Sequence, residues 1–136
     1  MISDIYDRNK PIKPENYKKR YAVIGVDLSR TTDLTSAVCL IEDNDKLYCL
    51  SHFWLPTEKL QEHIEYENIP YQKYIDKGEL SLSGDNMINY SDVVSWIEEL
   101  RRVYNIIPLM IGYDKYSSNY FVKELKDLGY RCESII

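Results

Sequence analysis

Two aspartates close apolar runs. Asp27 ends Val23-Ile24-Gly25-Val26 ahead of Leu28, and Asp114 ends Leu109-Met110-Ile111-Gly112-Tyr113. An ionised carboxylate inside a hydrophobic strand is costly unless it is paired or holds a cation. If the two runs are neighbouring strands, both carboxylates converge at one sheet edge. Close carboxylates repel, and a divalent cation relieves the repulsion. Magnesium favours such oxygen ligands, completed by waters and phosphate oxygens. Two metals about 4 Å apart can activate water and stabilise the leaving oxygen in phosphodiester cleavage. Each aspartate alone also has a plainer reading, as a turn former or helix cap. Asp114 could simply begin the loop that leads to a helix capped by Ser117.

Other candidates are fewer. Asp33 lies in Arg30-Thr31-Thr32-Asp33-Leu34-Thr35. It either caps that turn or stands behind the metal ligands, and the turn role is favoured. His52 and His63 lack a ligand partner at recognisable spacing, and His52 fits an ordinary strand position. There is no GxxxxGK[ST] phosphate loop and no GxGxxG. No Ser/His/Asp or Cys/His constellation stands out. The tyrosines are scattered and carry no base-stacking code.

The elements that position these residues follow from pattern. Tyr21 to Leu28, Leu34 to Glu42 and Lys46 to Trp54 are strand candidates, with a turn at Asp43-Asn44-Asp45. Short connections between them favour an antiparallel meander. Residues 55–90, punctuated by Pro56, Pro70, Gly78 and Gly84, read as an excursion outside the main sheet, with a short helix over Glu58 to Glu67. Ser91 is placed to cap a helix to about Tyr104, with Val93, Ile97, Leu100 and Val103 or Tyr104 inward. Ile106 to Tyr113 is a buried strand whose first residues Pro108 weakens. A second helix follows Ser117, with Phe121, Leu125 and Leu128 inward and Gly129 at its end. Tyr130 to Ile136 starts one more strand. A meander followed by βα units predicts an α/β fold: a mixed sheet, antiparallel then parallel, with flanking helices. The fourth main strand follows a long crossover, so it can lie parallel to the first.

Composition bounds the rest. The chain has 136 residues, which suits one domain. Its formal net charge of −5 argues against DNA affinity spread over the whole surface, but not against a local basic groove or an acidic metal pocket. Residues 1–20 are polar and basic, with Lys10, Lys13, Lys18, Lys19 and Arg20, and read as a linker or arm leading into a domain at 21–136. That arm is either a DNA-backbone contact or a solvated tail. Cys39, Cys49 and Cys132 form no CxxC pair and read as reduced thiols in a cytosol. No apolar run approaches the ~18 residues needed to span a bilayer.

The stretch Gly25-Val26-Asp27-Leu28-Ser29-Arg30-Thr31-Thr32-Asp33-Leu34-Thr35-Ser36 resembles the opening strand and turn of the phage terminase large-subunit nuclease domain. His52-Phe53-Trp54-Leu55-Pro56 is similar to that family's third-strand exit, and Ile69-Pro70-Tyr71 through Lys77-Gly78-Glu79-Leu80 to its Pro-Tyr and Gly segment. Ile111-Gly112-Tyr113-Asp114-Lys115-Tyr116 resembles its second acidic motif. The resemblance implies a ribonuclease-H-like nuclease that cuts concatemeric phage DNA in the host cytoplasm with Mg²⁺ or Mn²⁺. Asp27 and Asp114 would be its catalytic, metal-binding carboxylates. Double-stranded DNA would be the substrate, with a portal protein and a small terminase subunit as partners of the longer protein. The resemblance also implies a C-terminally incomplete domain. The family supplies another acidic residue further on, and Glu133 is the only acidic residue near the C-terminus here. A fragment short of one ligand would cut slowly or not at all.

Two other readings compete. An actin-like nucleotide-binding fragment would open with a similar strand and aspartate, but its phosphate turn needs glycine where Ser29 and Arg30 stand. A non-catalytic remnant would dock a protein through the excursion, with Phe53, Trp54, Tyr66, Tyr71 and Tyr74 as its surface. Those residues could equally form a satellite core under a long loop.

Overall fold

Alternation in β1 (Tyr21–Asp27) sets the architecture. Ala22, Ile24 and Val26 are buried, while Tyr21, Val23 and Asp27 are exposed. Successive strand residues point to opposite faces, so one face of the sheet is packed and the other is open. The computed structural model describes residues 12–28, 34–60, 62, 65, 69–114 and 119–135. Six strands form one sheet in the order β4-β3-β2-β1-β5-β6.

The meander is β1, β2 (Thr35–Asp43) and β3 (Lys46–Leu55), paired antiparallel. Its tight turn is built on Asn44 and Asp45, with φ of 51° and 65°. Two left-handed residues give the twist that a two-residue hairpin needs, and Asn and Asp tolerate that conformation better than other side chains. β5 (Ile107–Asp114) returns parallel to β1, and β6 (Cys132–Ile135) parallel to β5. The fold is therefore the expected mixed α/β sheet of ribonuclease-H-like type.

Among the described residues, helices α1 (Tyr71–Asp76), α2 (Tyr90–Arg102) and α3 (Asn119–Asp127) lie between these strands. α2 and α3 lie on the packed face. Val93, Val94, Ile97 and Leu100 from α2 and Phe121, Val122 and Leu125 from α3 join Ile24, Cys39, Ile41 and Ile111 in the main core. The helix ends differ in detail from the sequence reading. Asn89, not Ser91, caps α2, because its side-chain oxygen accepts the Ser91 N–H at 3.1 Å. Tyr104 is the residue packed on the core, and Val103 is exposed. Leu128 is also exposed, and Val122 takes the inward position instead. Gly129 ends α3 as expected, at φ 96°, where an L side chain would be strained. Its N–H donates to Lys126 O and the Tyr130 N–H donates to Leu125 O, which satisfies two terminal carbonyls. Ser117 lies outside the described residues.

Pro108 sits within β5, where β6 does not reach: β6 pairs only from Ile111 to Asp114. A proline without a donor is tolerated there because the strand is locally an edge. Leu80–Leu82, expected outside the sheet, instead form β4, pairing parallel with the end of β3. Leu55, Tyr71 and Leu80 make a second small core, backed by Leu34, Leu60 and Ile75. Leu55 has the opposite parity to Trp54 of the main core, so this cluster lies on the other face. It is the satellite core anticipated for Tyr71, with Trp54 buried, while Phe53 and Tyr74 stay partly exposed. Tyr66 and half of the residues of the expected Glu58–Glu67 helix lie outside the described residues, and Leu60, Glu62 and Glu65 within it are helical. Thr57–Lys59 form one 3₁₀ turn.

Phe121 is 1% exposed at the centre of the main core. Phe121→Ala is expected to lower stability by about 3–5 kcal/mol. Urea unfolding checks this: the midpoint falls while the slope with denaturant is retained.

Candidate functional site

β1 and β5 are adjacent and parallel, so their carboxyl ends lie side by side. Their last paired residues are Val26 and Tyr113. One position further, both strands finish on an aspartate, Asp27 and Asp114. Neighbouring strands lie ~4.8 Å apart. Residues in register share a face, so both carboxylates belong to the open face, with Val23 and Gly25 on β1 and Met110 and Gly112 on β5. Asp27 is exposed and Asp114 half-buried. Residues 29–33, where a turn with Asp33 is expected, and residues 115–118 follow these strand ends in sequence and lie outside the described residues.

Two glycines floor the site. Gly25 and Gly112 face each other in register, two residues before the aspartates. A Cβ on Gly25 would meet nothing within 4 Å, so the backbone there is open to a ligand. Gly112 is different. A Cβ there would lie 2.0 Å from Ile135 Cδ1, so β6 lays the Ile135 side chain across β5 at this level. The sequence reading missed this pair. Its signal was present, one glycine two residues before each aspartate.

Glu133 shares this face, since it faces Gly112 in register. It stands two residues short of Asp114 and one strand further from Asp27. Its Oε1 accepts from Arg131 Nη2 at 2.5 Å and from Nε at 3.1 Å. Among the described residues no group of three or more His, Cys, Asp and Glu side chains is gathered to hold a metal ion. Two carboxylates on neighbouring strand ends are nevertheless a fitting donor set for a hard cation that keeps several waters.

His52 serves another purpose. It lies on β3, half-buried, with its Nε2 2.7 Å from Ser81 Oγ. Its ring centroid is 4.7 Å from Trp54 and 6.1 Å from Trp96. Burial holds its pKa below the ordinary histidine value, against a smaller opposing pull from Glu79. Cys39 is fully buried in β2, and desolvation pushes its thiol up to about 12, so it is an inert core residue. No helix among the described residues is long and apolar enough to cross a membrane.

Comparison with known proteins converges on one family. Residues 1–130 match the family model described as "Terminase large subunit, endonuclease domain". The chain is 28% identical over 113 residues to the large terminase subunit of Enterobacteria phage HK97, covering 82% of this chain and 22% of that protein. It is 30% identical over 100 residues to the terminase large subunit of Lactococcus phage p2, covering 72% of this chain and 18% of the relative. The chain thus spans about a fifth of the length of these curated relatives. The crystal structure of the HK97 bacteriophage large terminase superposes with a TM-score of 0.71 at 24% identity, over 88% of this chain and 25% of that one.

Stability reports the state of His52. Its folded-state pKa lies below the ordinary value of about 6.5, so the unfolded chain takes up a proton first as pH falls. The stability associated with neutral His52 is complete above about pH 6.5. It is lost progressively below that, down through the lowered folded value. Urea unfolding from pH 8 to 5 is expected to show this loss in the native chain. His52→Gln should remove that component of the slope; an unchanged slope would contradict the assignment.

Proposed function

The chain belongs to the terminase large subunit endonuclease domain family, and on that premise we propose that it is a divalent-metal-dependent DNA-cutting module with Asp27 and Asp114 as its metal-holding, catalytic carboxylates. The observation that carries this reading is the register of β1 on β5, which ends two parallel neighbours on aspartate. Mg²⁺ or Mn²⁺ suits this donor set. One or two carboxylates, with waters and phosphate oxygens, complete such a shell. When bound, the metal lowers the pKa of water and neutralises charge on the phosphate.

The chain's own residues supply position and access. β1 and β5 are held between β2 and β6, so the aspartates project from a rigid sheet rather than from loops. Gly25 leaves the backbone below Asp27 bare, and a sugar-phosphate chain can approach without meeting a side chain there. The overall acidity of the chain, −5, makes a neutralising cation a precondition for a polyanion to reach these carboxylates.

The substrate in this reading is double-stranded concatemeric phage DNA, cut in the host cytoplasm. In the longer protein, a portal protein and a small terminase subunit are the partners. Residues 21–136 form the nuclease unit and residues 1–20 its basic lead-in. By its place in the sequence Asp33 is given a turn role behind the metal-holding pair, and a further acidic ligand completes the set. A site built by two carboxylates alone holds metal weakly, so Mn²⁺ is the sensitive probe.

The test is nicking of supercoiled plasmid with Mn²⁺, alongside Mn²⁺ binding by calorimetry. Nicking is expected to require the metal and to stop on chelation. Asp27→Asn and Asp114→Asn should each lower the rate by on the order of a hundredfold. Both should also weaken Mn²⁺ binding while leaving the unfolding midpoint near its native value. Undiminished nicking and Mn²⁺ binding by Asp27→Asn would remove the assignment.

A further inference from the structure

The outer edge of β3 is only partly covered. β3 has 10 residues, whereas β4 has 3 and pairs with Phe53, Trp54 and Leu55 alone. Phe53 N–H donates to Glu79 O at 3.0 Å, and Leu55 O accepts from Ser83 N–H at 2.9 Å, both on the side away from β2. In an antiparallel pair, successive residues alternate between facing the partner strand and facing away. Leu47, Cys49 and Ser51 therefore direct their N–H and C=O groups outward as Phe53 does. Among the described residues, no strand pairs with β3 on that side before Phe53. Such an edge is a template for another strand.

A groove of about 700 Å³ runs along this edge. Its floor is the β3 stretch from Cys49 to His52, and its walls include Trp96 and Glu99 of α2 and Glu79 before β4. A second hollow of about 500 Å³ shares His52, Trp96 and Glu99 and extends past Asp92. The aromatic wall is continuous: Trp54 and Trp96 meet edge to face at 5.8 Å, with His52 against both. Glu79, Asp92 and Glu99 give three carboxylates among the lining residues, against one ammonium, Lys77. Carboxylates beside indole faces favour a cationic side chain, both by charge and by cation–π attraction. They disfavour a phosphate backbone. The groove is also at the opposite edge of the sheet from β5 and β6, away from the aspartates.

We propose that the outer edge of β3 receives an extended, lysine- or arginine-bearing segment of a partner protein as an added strand. Main-chain hydrogen bonds to Leu47, Cys49 and Ser51 hold the segment. Alternate side chains of the added strand enter the groove, where Trp96 and Glu99 take the cation. The charge of the groove selects the occupant, and the open backbone supplies the attachment. Nothing in this arrangement depends on Asp27 or Asp114.

The experiment uses a fluorescein-labelled decapeptide of alternating Thr and Lys, a matching Thr–Glu peptide, and the full chain. Anisotropy gives affinity, and amide hydrogen exchange reads β3. The Thr–Lys peptide is expected to bind at least tenfold more tightly than the Thr–Glu peptide. It should slow exchange at Leu47, Cys49 and Ser51 by about tenfold or more. Glu99→Lys, an exposed change on α2, should weaken binding at least tenfold, and N-methylation of alternate peptide residues should abolish it. Absent binding, equal affinity for the two peptides, or binding without protection of those amides would overturn the proposal. So would a concentration-dependent dimer in sedimentation that protects the same amides without peptide, since the occupant would then be a second copy.

Discussion

One extra residue in β5 decides where the carboxylates meet. Ala22 faces Pro108, but Val23 faces Met110, so Leu109 is bulged out of the ladder between them. A bulge shifts every later pair by one and inverts which side chains share a face. Without it, Asp27 would stand beside Tyr113, and Asp114 would fall in step with Leu28, on the packed side. With it, Gly25 meets Gly112 and the two aspartates end their strands together on the open face. Leu109 is 52% exposed, consistent with a residue displaced from the ladder rather than recruited to the core. Pro108, which lacks a donor, stands immediately before this break.

The division between the two faces explains why the site is chemically available. α2 and α3 bury Ala22, Ile24, Val26 and Ile111 on one side, which carries most of the folding free energy. The other side has only the small cluster around Leu55, Tyr71 and Leu80. Tyr21, Val23 and Leu40 are left partly exposed there. Asp27 is on that side as well, so its carboxylate is not desolvated by the core. The cost of a carboxylate inside an apolar strand is therefore avoided at Asp27 by the face on which it lies. The strand is apolar on both faces, but only one face is covered.

Much of this was legible from residue order. β1, the hairpin at Asn44-Asp45, α2, α3 and the return of β5 beside β1 all follow from local pattern and short connections. The adjacency of Asp27 and Asp114 came from topology, since a long crossover allows a parallel return. The bulge at Leu109 was not legible, because nothing in Leu-Met-Ile-Gly distinguishes a bulged residue from a paired one. Asn89 was passed over as a cap in favour of Ser91; both are good capping residues, and only geometry chooses between them. Leu80-Ser81-Leu82 was too short to announce a strand, and its pairing depends on Phe53 and Leu55, far away in the chain. The covering of Gly112 by Ile135 is likewise a contact between strands that sequence spacing does not encode.

The point at which β4 joins β3 ties the fold to the groove. β3 runs antiparallel to β2, and β4 is parallel to β3, so the chain must cross back over the sheet between Leu55 and Leu80. That crossing is anchored at one end of the sheet by Tyr71 packing with Leu55 and Leu80. β4 then pairs for three residues before Ser83 turns the chain toward α2: Ser83 Oγ accepts from Asn89 N–H and donates to Asp92 Oδ2. The same hydroxyl thus ties the end of β4 to the first turn of α2. β4 joins the sheet only beside Phe53 and runs on parallel to β3, so the edge before Phe53 is left open, and Trp96 and Glu99 of α2 line the groove along it. The open edge follows from where β4 joins β3, and the aromatic, acidic wall beside it from where α2 packs.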